Sequence, residues 1–408
     1  MKEPLMNHPM FVLLLIASSP AFAAAASGPL FESQTLFPLQ EQHVHSSSIV
    51  LCPNGDLLAC WFQGSGERRS MDVVINGARR RKGETTWSAP FLMADTPDFP
   101  DCNPVLFIDD NEELWLFWIA VFAERWEDSL LRCRRSRDYQ GDGAPNWYWQ
   151  DLIVFDPGRR FADAIAAGFD QIEAQLPDLP LDGFKQHLAK RDLKRIREEA
   201  KNLSLRQRGW MTRSRPLILP SGRYILPLYS DGSLMGLMAI SDDHGATWRP
   251  SAPIVGLALN QPSLARKQDG TLVAYMREEN EYLRRILVSE STDDGDTWSL
   301  AVATDMPNPN ASVEALTLRD GRWLLLYNDS EKSRDTLLLA MSDDEGDTWR
   351  WQRHLERDPG GQFHYPAMIE GKDGQAHITY TYQPPGNKGK SIKHVLLEPD
   401  WVCAGDDE

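Results

Sequence analysis

Six short stretches of the chain set polar side chains directly ahead of an apolar run: QHVHSSS from Gln42, DCNP from Asp101, TRSRP from Thr212, LNQP from Leu259, NPNASVE from Asn308 and FHYP from Phe363. Their residue types suit work on a polar ligand. Imidazole titrates near neutral pH, which makes His43, His45 and His364 candidates for moving protons. The guanidiniums of Arg213, Arg215 and, further along, Arg277 offer planar bidentate contacts to a carboxylate. Tyr365 adds a hydroxyl, Glu314 a carboxyl group, and Asn103 and Gln261 neutral amides. A scaffold held by packing alone could use any small residues at these six points, so the polar ring indicates a ligand site.

The elements that must position this ring are written beside it. Each stretch opens a pattern in which an apolar run meets a tight polar turn and a second apolar run, as in SSIVLCPNGDLLACWF and VEALTLRDGRWLLLY. Alternating β-branched and aromatic residues around a Gly or Asn that tolerates positive φ predict a β-hairpin. The turn positions Gly55, Asn111, Gly222, Gly270, Gly321 and Gly374 lie 48 to 56 residues apart, except for one step of 111. That long step holds a segment of different character. From about residue 160 to 208, apolar residues recur at three and four with dense charge between them, which predicts a helical insertion.

A second repeat runs through the outer part of the pattern. SDDHGATW from Ser241, STDDGDTW from Ser291 and SDDEGDTW from Ser342 follow one another at steps of 50 and 51. Near-constant spacing in this range marks a stacked or radial architecture. The Asp is expected to accept backbone N–H bonds, the Gly to take positive φ and the Trp to pack between neighbouring sheets. Six hairpins, each extended to about four strands, give an all-β six-bladed propeller over residues 30–403. The inner strand of each blade then lines a central channel, and the polar ring sits at its mouth. Strict alternation predicts that only one of His364 and Tyr365 faces that channel.

Composition excludes some partners. The 408 residues carry a formal net charge of −16, which disfavours nucleic acid and anionic membrane surfaces. No phosphate loop, nucleotide fingerprint or metal-ligand spacing is present, so no cofactor or metal is expected. Lys2, the apolar run Met10–Ala17 and the small residues of AFAAAASG predict a cleavable export signal over residues 1–25, and hence a periplasmic or extracellular protein without a membrane span. The five cysteines do not form a framework. Cys60 is expected to face Ile49 across its hairpin, leaving Cys52 too distant for a bridge.

The eight-residue repeats resemble the Asp boxes of the sialidase (neuraminidase) superfamily. The stretches HSSSIVLCPNGDLLACWF, NQPSLARKQDGTLVAYMR and HYPAMIEGKDGQAHITYTY are similar to its bacterial BNR-repeat group. The resemblance covers about Gln42 to Leu397 apart from the helical insertion. It implies an exo-acting glycoside hydrolase on a glycan with an acidic terminal sugar. Tyr365 becomes the nucleophile, Glu314 its base, and Arg213, Arg215 and Arg277 the carboxylate clamp. A Tyr hydroxyl, with an ordinary pKa of about 10, needs such a base or a positive field. His43, Asn103, Gln261 and His364 are further substrate contacts.

The chain also departs from that family's pattern. Where sialidases open the first blade with an Arg, this sequence has His43 and His45, with Arg68 or Arg69 as substitutes. Asp72 and Asp101 are the available candidates for an acid/base. A His at the mouth with Tyr and Arg nearby also resembles β-propeller polysaccharide lyases acting on uronic acids. In that alternative His45 and Tyr365 share the proton transfers. The third reading is a glycan-binding propeller without catalysis, since Asp boxes also occur in non-enzymes.

Overall fold

Strands His43–Leu51 and Leu57–Gly64 pair with Leu51 opposite Leu57 and Ser48 opposite Cys60. Cys60 therefore does not face Ile49. The turn closes where Cys52 N donates to Asp56 O at 2.7 Å, leaving three residues in the loop with Gly55 at φ 92°. This is one residue longer than the tight turn that the expected register needs. All five cysteines are free thiols, and Cys52, Cys60, Cys102 and Cys133 are buried.

The computed structural model describes residue 1, residues 28–386 and residues 388–406. The export signal expected at residues 1–25 lies outside these apart from residue 1. Six antiparallel sheets follow one another along the chain, each running from a first strand outward to a fourth. The first strands are His43–Leu51, Asp101–Ile108, Met211–Thr212 with Leu217–Ile218, Leu259–Arg266, Glu314–Thr317 and Gln362–Glu370. First strands of adjacent blades touch, except that the first strand of blade four meets the second and third strands of blade three, and those of blades six and one meet to close the ring. The result is the six-bladed propeller. Blade six takes its outermost strand from the other end of the chain: Phe31–Thr35 pairs antiparallel with Ser391–Leu397.

Second strands are buried on both faces because blades pack sheet against sheet, as in LWLFWIA of Leu114–Ala120. They read as apolar runs for that reason rather than as alternating patterns. The three eight-residue repeats sit between the third and fourth strands of blades three, four and five. In each, the Asp accepts from the backbone N and hydroxyl of the Thr four residues on, as Asp243 does from Thr247 at 2.9 and 2.6 Å. The Ser hydroxyl accepts from the Gly N, at 2.8 Å for Ser241 and Gly245. The Trp then reaches the preceding blade, where Trp248 meets Trp115 and Phe117 edge to face. Such contacts couple neighbouring sheets beyond simple area burial.

The segment between blades two and three is helical. Helix α1 (Arg159–Gln175) buries Phe161, Ile165, Phe169 and Ile172, and helix α2 (Gly183–Glu199) buries Ala189, Leu193 and Ile196. Asp182 caps α2 by accepting from Lys185 N at 2.8 Å. Its basic run is a solvated face, with Arg195 on Glu199 and Arg197 on Asp170. The pair docks on loops at the end of the channel where the first strands begin. Lys185 Nζ donates to Glu281 O and Tyr282 O at 2.7 and 2.8 Å, and Arg195 to Gly232 O at 3.1 Å. Among the described residues no helix is long and apolar enough to cross a membrane.

Candidate active site

The polar ring is built by a shared irregularity. Pairing of first and second strands slips between His45 and Ser48, Cys102 and Val105, Asn260 and Ser263, and His364 and Ala367. Within each slip one residue is left-handed: Ser46, Asn103, Gln261 and Tyr365, with φ from 51 to 58°. Non-Gly residues seldom adopt this region, and a bulge there re-aims a side chain. Strict alternation therefore fails at this point. His364 and Tyr365 both reach His45, with ring centroids at 4.7 and 4.1 Å.

Tyr365 is the meeting point. Its hydroxyl oxygen accepts from Arg277 Nη1 at 3.1 Å and from Gln261 Nε2 at 3.4 Å. The Arg213 guanidinium lies 5.0 Å over its ring and is tied to Pro366 O. Arg334, from the loop after the second strand of blade five, is anchored on Asn310 O. Burial lowers the Arg334 pKa, and the charge of Tyr365 is the largest influence in the opposite direction. Two guanidiniums from two blades thus contact one phenol, and Arg334 from a third blade interacts with it electrostatically.

A carboxylate pair stands behind Arg277. Arg277 also pairs with Glu279, and the Asn260 amide donates to both Asp231 (2.8 Å) and Glu279 (3.3 Å). Burial pulls the Arg277 pKa down, but Tyr365, Glu279 and Asp231 outweigh it and hold the group above its ordinary value. Burial, with the Glu279 charge second, pushes Asp231 up to about 7. A carboxyl group so placed still carries its proton in a substantial share of molecules near neutrality.

The imidazoles form the opposite wall. His43 Nε2 lies 2.9 Å from Glu67, and its Nδ1 lies 3.1 Å from Lys390 Nζ. His45 Nδ1 lies 3.3 Å from the Thr381 hydroxyl. Burial drives the pKa of His45 and of His364 well below the ordinary imidazole value, and the cations around them act in the same direction. Both rings are neutral at neutral pH. Asn103 faces sideways, donating to Tyr229 Oη at 3.0 Å.

Several expected residues stand elsewhere. Glu314 makes no hydrogen bond to Tyr365. It accepts from Ser263 at 3.1 Å, and burial raises its pKa against the pull of Arg213 and Arg215. The Gln261 amide occupies the place beside the phenol because the blade-four bulge turns it there. Arg215 points down the channel, 3.9 Å from Glu314, and lines a cavity at the far end. Asp101 is locked on Thr96 and Trp118, Asp72 bonds Ser65, and Arg68 stacks over Trp126, so none of them reaches Tyr365. Sequence reasoning missed Asp231, Glu279, Arg334, Glu67 and Lys390. The signal was present: second strands run back to the mouth, so residues just past their ends belong to the ring. Among the described residues no group of three or more His, Cys, Asp or Glu is placed to hold a metal.

A six-bladed ring stapled by Asp boxes, with Tyr and Arg gathered at one mouth, defines a sialidase-like BNR-repeat protein. The chain belongs to the BNR repeat-like domain family, matched over residues 55–153 and 206–378. It is 27% identical over 187 residues to a sialidase of Micromonospora viridifaciens, covering 42% of this chain and 27% of that protein. It is 24% identical over 181 residues to an anhydrosialidase of Macrobdella decora, covering 39% of this chain and 23% of that protein. The match thus spans about a quarter of each relative. Among solved structures, a protein of unknown function from Dyadobacter fermentans superposes with TM-score 0.67 at 16% identity, over 90% of this chain and 98% of that one. A sialidase of Streptococcus pneumoniae gives 0.65 at 12%, over 90% and 71%. These structural likenesses establish the fold.

Proposed function

We propose that the protein is a glycoside hydrolase that binds the carboxylate of an acidic terminal sugar and attacks its anomeric carbon with Tyr365. The observation that carries this reading is the Tyr365 oxygen accepting from Arg277 amid Arg213 and Arg334. A hydroxyl without a hydrogen-bonded carboxylate draws its activation from positive field instead. In the first step the Tyr365 oxygen bonds to carbon as its proton passes to water. The glycosidic bond breaks, and its oxygen takes the Asp231 proton. In the second step water attacks the same carbon, its proton returns to Asp231, and the Tyr365 oxygen leaves and regains its proton from water.

A second reading is favoured by the His45 ring packed at 4.1 Å on Tyr365. There a neutral imidazole takes the proton beside a uronate carboxylate, and Tyr365 protonates the leaving oxygen. One screen separates the two. The protein is offered a sialyl aryl glycoside and uronate polymers, with Tyr365→Phe alongside. Aglycone release lost in the variant supports hydrolysis. Rising ultraviolet absorbance on a polymer supports the lyase. Neither signal, with glycan binding retained, leaves a binding module and overturns both.

A further inference from the structure

The far end of the channel carries a second arrangement that the mouth chemistry does not use. There the last residues of the first strands of blades one, two and six and the start of blade three line an open cavity of about 360 Å³, within the usual range for small-molecule sites. Its lining mixes apolar side chains, among them Ile49, Phe107, Leu217 and Ile369, with polar backbone and charged groups. Two charged side chains line it. Glu370 is neutralised at the rim by Arg319, 3.2 Å away. Arg215 is not neutralised to the same degree. Among the described residues it makes no hydrogen bond, and its one ionic neighbour is Glu314 at 3.9 Å.

Charge counting sharpens the point. Glu314, only 1% exposed, is flanked by both Arg213 and Arg215, and its Oε1 has no hydrogen-bond partner. Two guanidiniums against one carboxylate leave one positive charge in excess along the channel axis. A half-buried charge without a hydrogen-bonded partner favours an opposite one. Arg213 is covered by the Tyr365 ring and Pro366 O, so the open guanidinium is that of Arg215.

We infer that this distal cavity binds a small monocarboxylate with an apolar body, its carboxylate on the Arg215 guanidinium and its body against Phe107, Leu217 and Ile369. The recognition is charge-complementary: a planar cation beside apolar side chains in an open groove takes a flat anion bidentately. The site is separate from the mouth and goes beyond the glycan reading.

The experiment is titration calorimetry of the whole protein with 4-phenylbutyrate and, separately, its neutral amide. The expected result is saturable binding of the acid and at least about tenfold weaker binding of the amide. Arg215→Gln should weaken the acid by a similar factor, while Arg277→Gln at the mouth leaves it unchanged. Because Arg215→Gln also disturbs Glu314, Leu217→Trp provides a second variant that leaves both charges in place and fills the space of the ligand body, and it should weaken the acid similarly. Binding that follows Arg277 instead of Arg215, equal binding of acid and amide, or no saturable binding at millimolar ligand overturns the proposal.

Discussion

The Asp boxes are expected to stabilise the ring by coupling blades, and one pair of glycines tests this. Gly245, in the box of blade three, has φ +79°, and a Cβ there would lie 2.7 Å from Trp115 Cζ2 of blade two. Gly222, in the hairpin turn of the same blade, has φ +84° with nothing within 4 Å of the added atom. Alanine at either position meets the left-handed penalty, about 1–2 kcal/mol. At Gly245 it also drives a methyl into a fully buried indole, and overpacking of this kind costs a further 1–3 kcal/mol or so. Gly222→Ala should therefore lose about 1–2 kcal/mol and Gly245→Ala about 2–5 kcal/mol. Urea unfolding followed by tryptophan fluorescence reads both, provided the m-values agree. Equal losses would refute the reasoning: the glycine would then serve backbone conformation alone, and the box would not brace one blade against the next.

Further outcomes follow from other groups. Asp231→Asn should abolish the alkaline limb of a pH–rate profile, because Asp231, raised to about 7, must be protonated to donate; a limb that persists in the variant assigns it to another group. His354 lies 3.0 Å from Asp329 and 2.5 Å from Asp406, and its pKa is raised. A raised histidine stabilises fully below its unfolded value of about 6.5 and loses that contribution as pH climbs through the folded value. The two carboxylates are lowered, so their share is lost as pH falls below about 4. The Tm gap between wild type and His354→Gln should peak between these limits and close at higher pH; a gap that widens with pH contradicts the pairing. Thiol titration of the native protein should find about one reactive cysteine, Cys403, and five after denaturation, since burial raises the four interior thiols. Four or five native equivalents would show that the blades open.

Much of the architecture was legible because it repeats. Turns such as Pro53–Asp56 and boxes such as SDDEGDTW announce themselves six and three times, and each needs only local chemistry. The partner of Phe31–Thr35 was not legible: FESQT carries no local sign that it completes a sheet more than 350 residues away. At the site, residue types were readable and directions were not. Alternation would turn His364 and Tyr365 apart, and only the bulge at φ 58° lets both reach His45. The same limit explains Glu314, whose type suits a base but whose register buries it on Ser263. Trp61 and Trp118 are fully buried between blades because flanking sheets cover both faces.

Closure of the ring through Phe31–Thr35 has a consequence for how the protein comes into being. Tyr365 belongs to the blade that joins the two ends of the chain. A ribosome emits the first of that blade's four strands early and the other three last, so the opening strand waits unpaired while five blades fold. The phenol is presented on a finished sheet only after Ser391–Leu397 has emerged and Phe31–Thr35 has been retrieved. A chain cut short before Ser391–Leu397 lacks the strand to which Phe31–Thr35 pairs. Any activity resting on Tyr365 therefore reports that Phe31–Thr35 and Ser391–Leu397 have found each other.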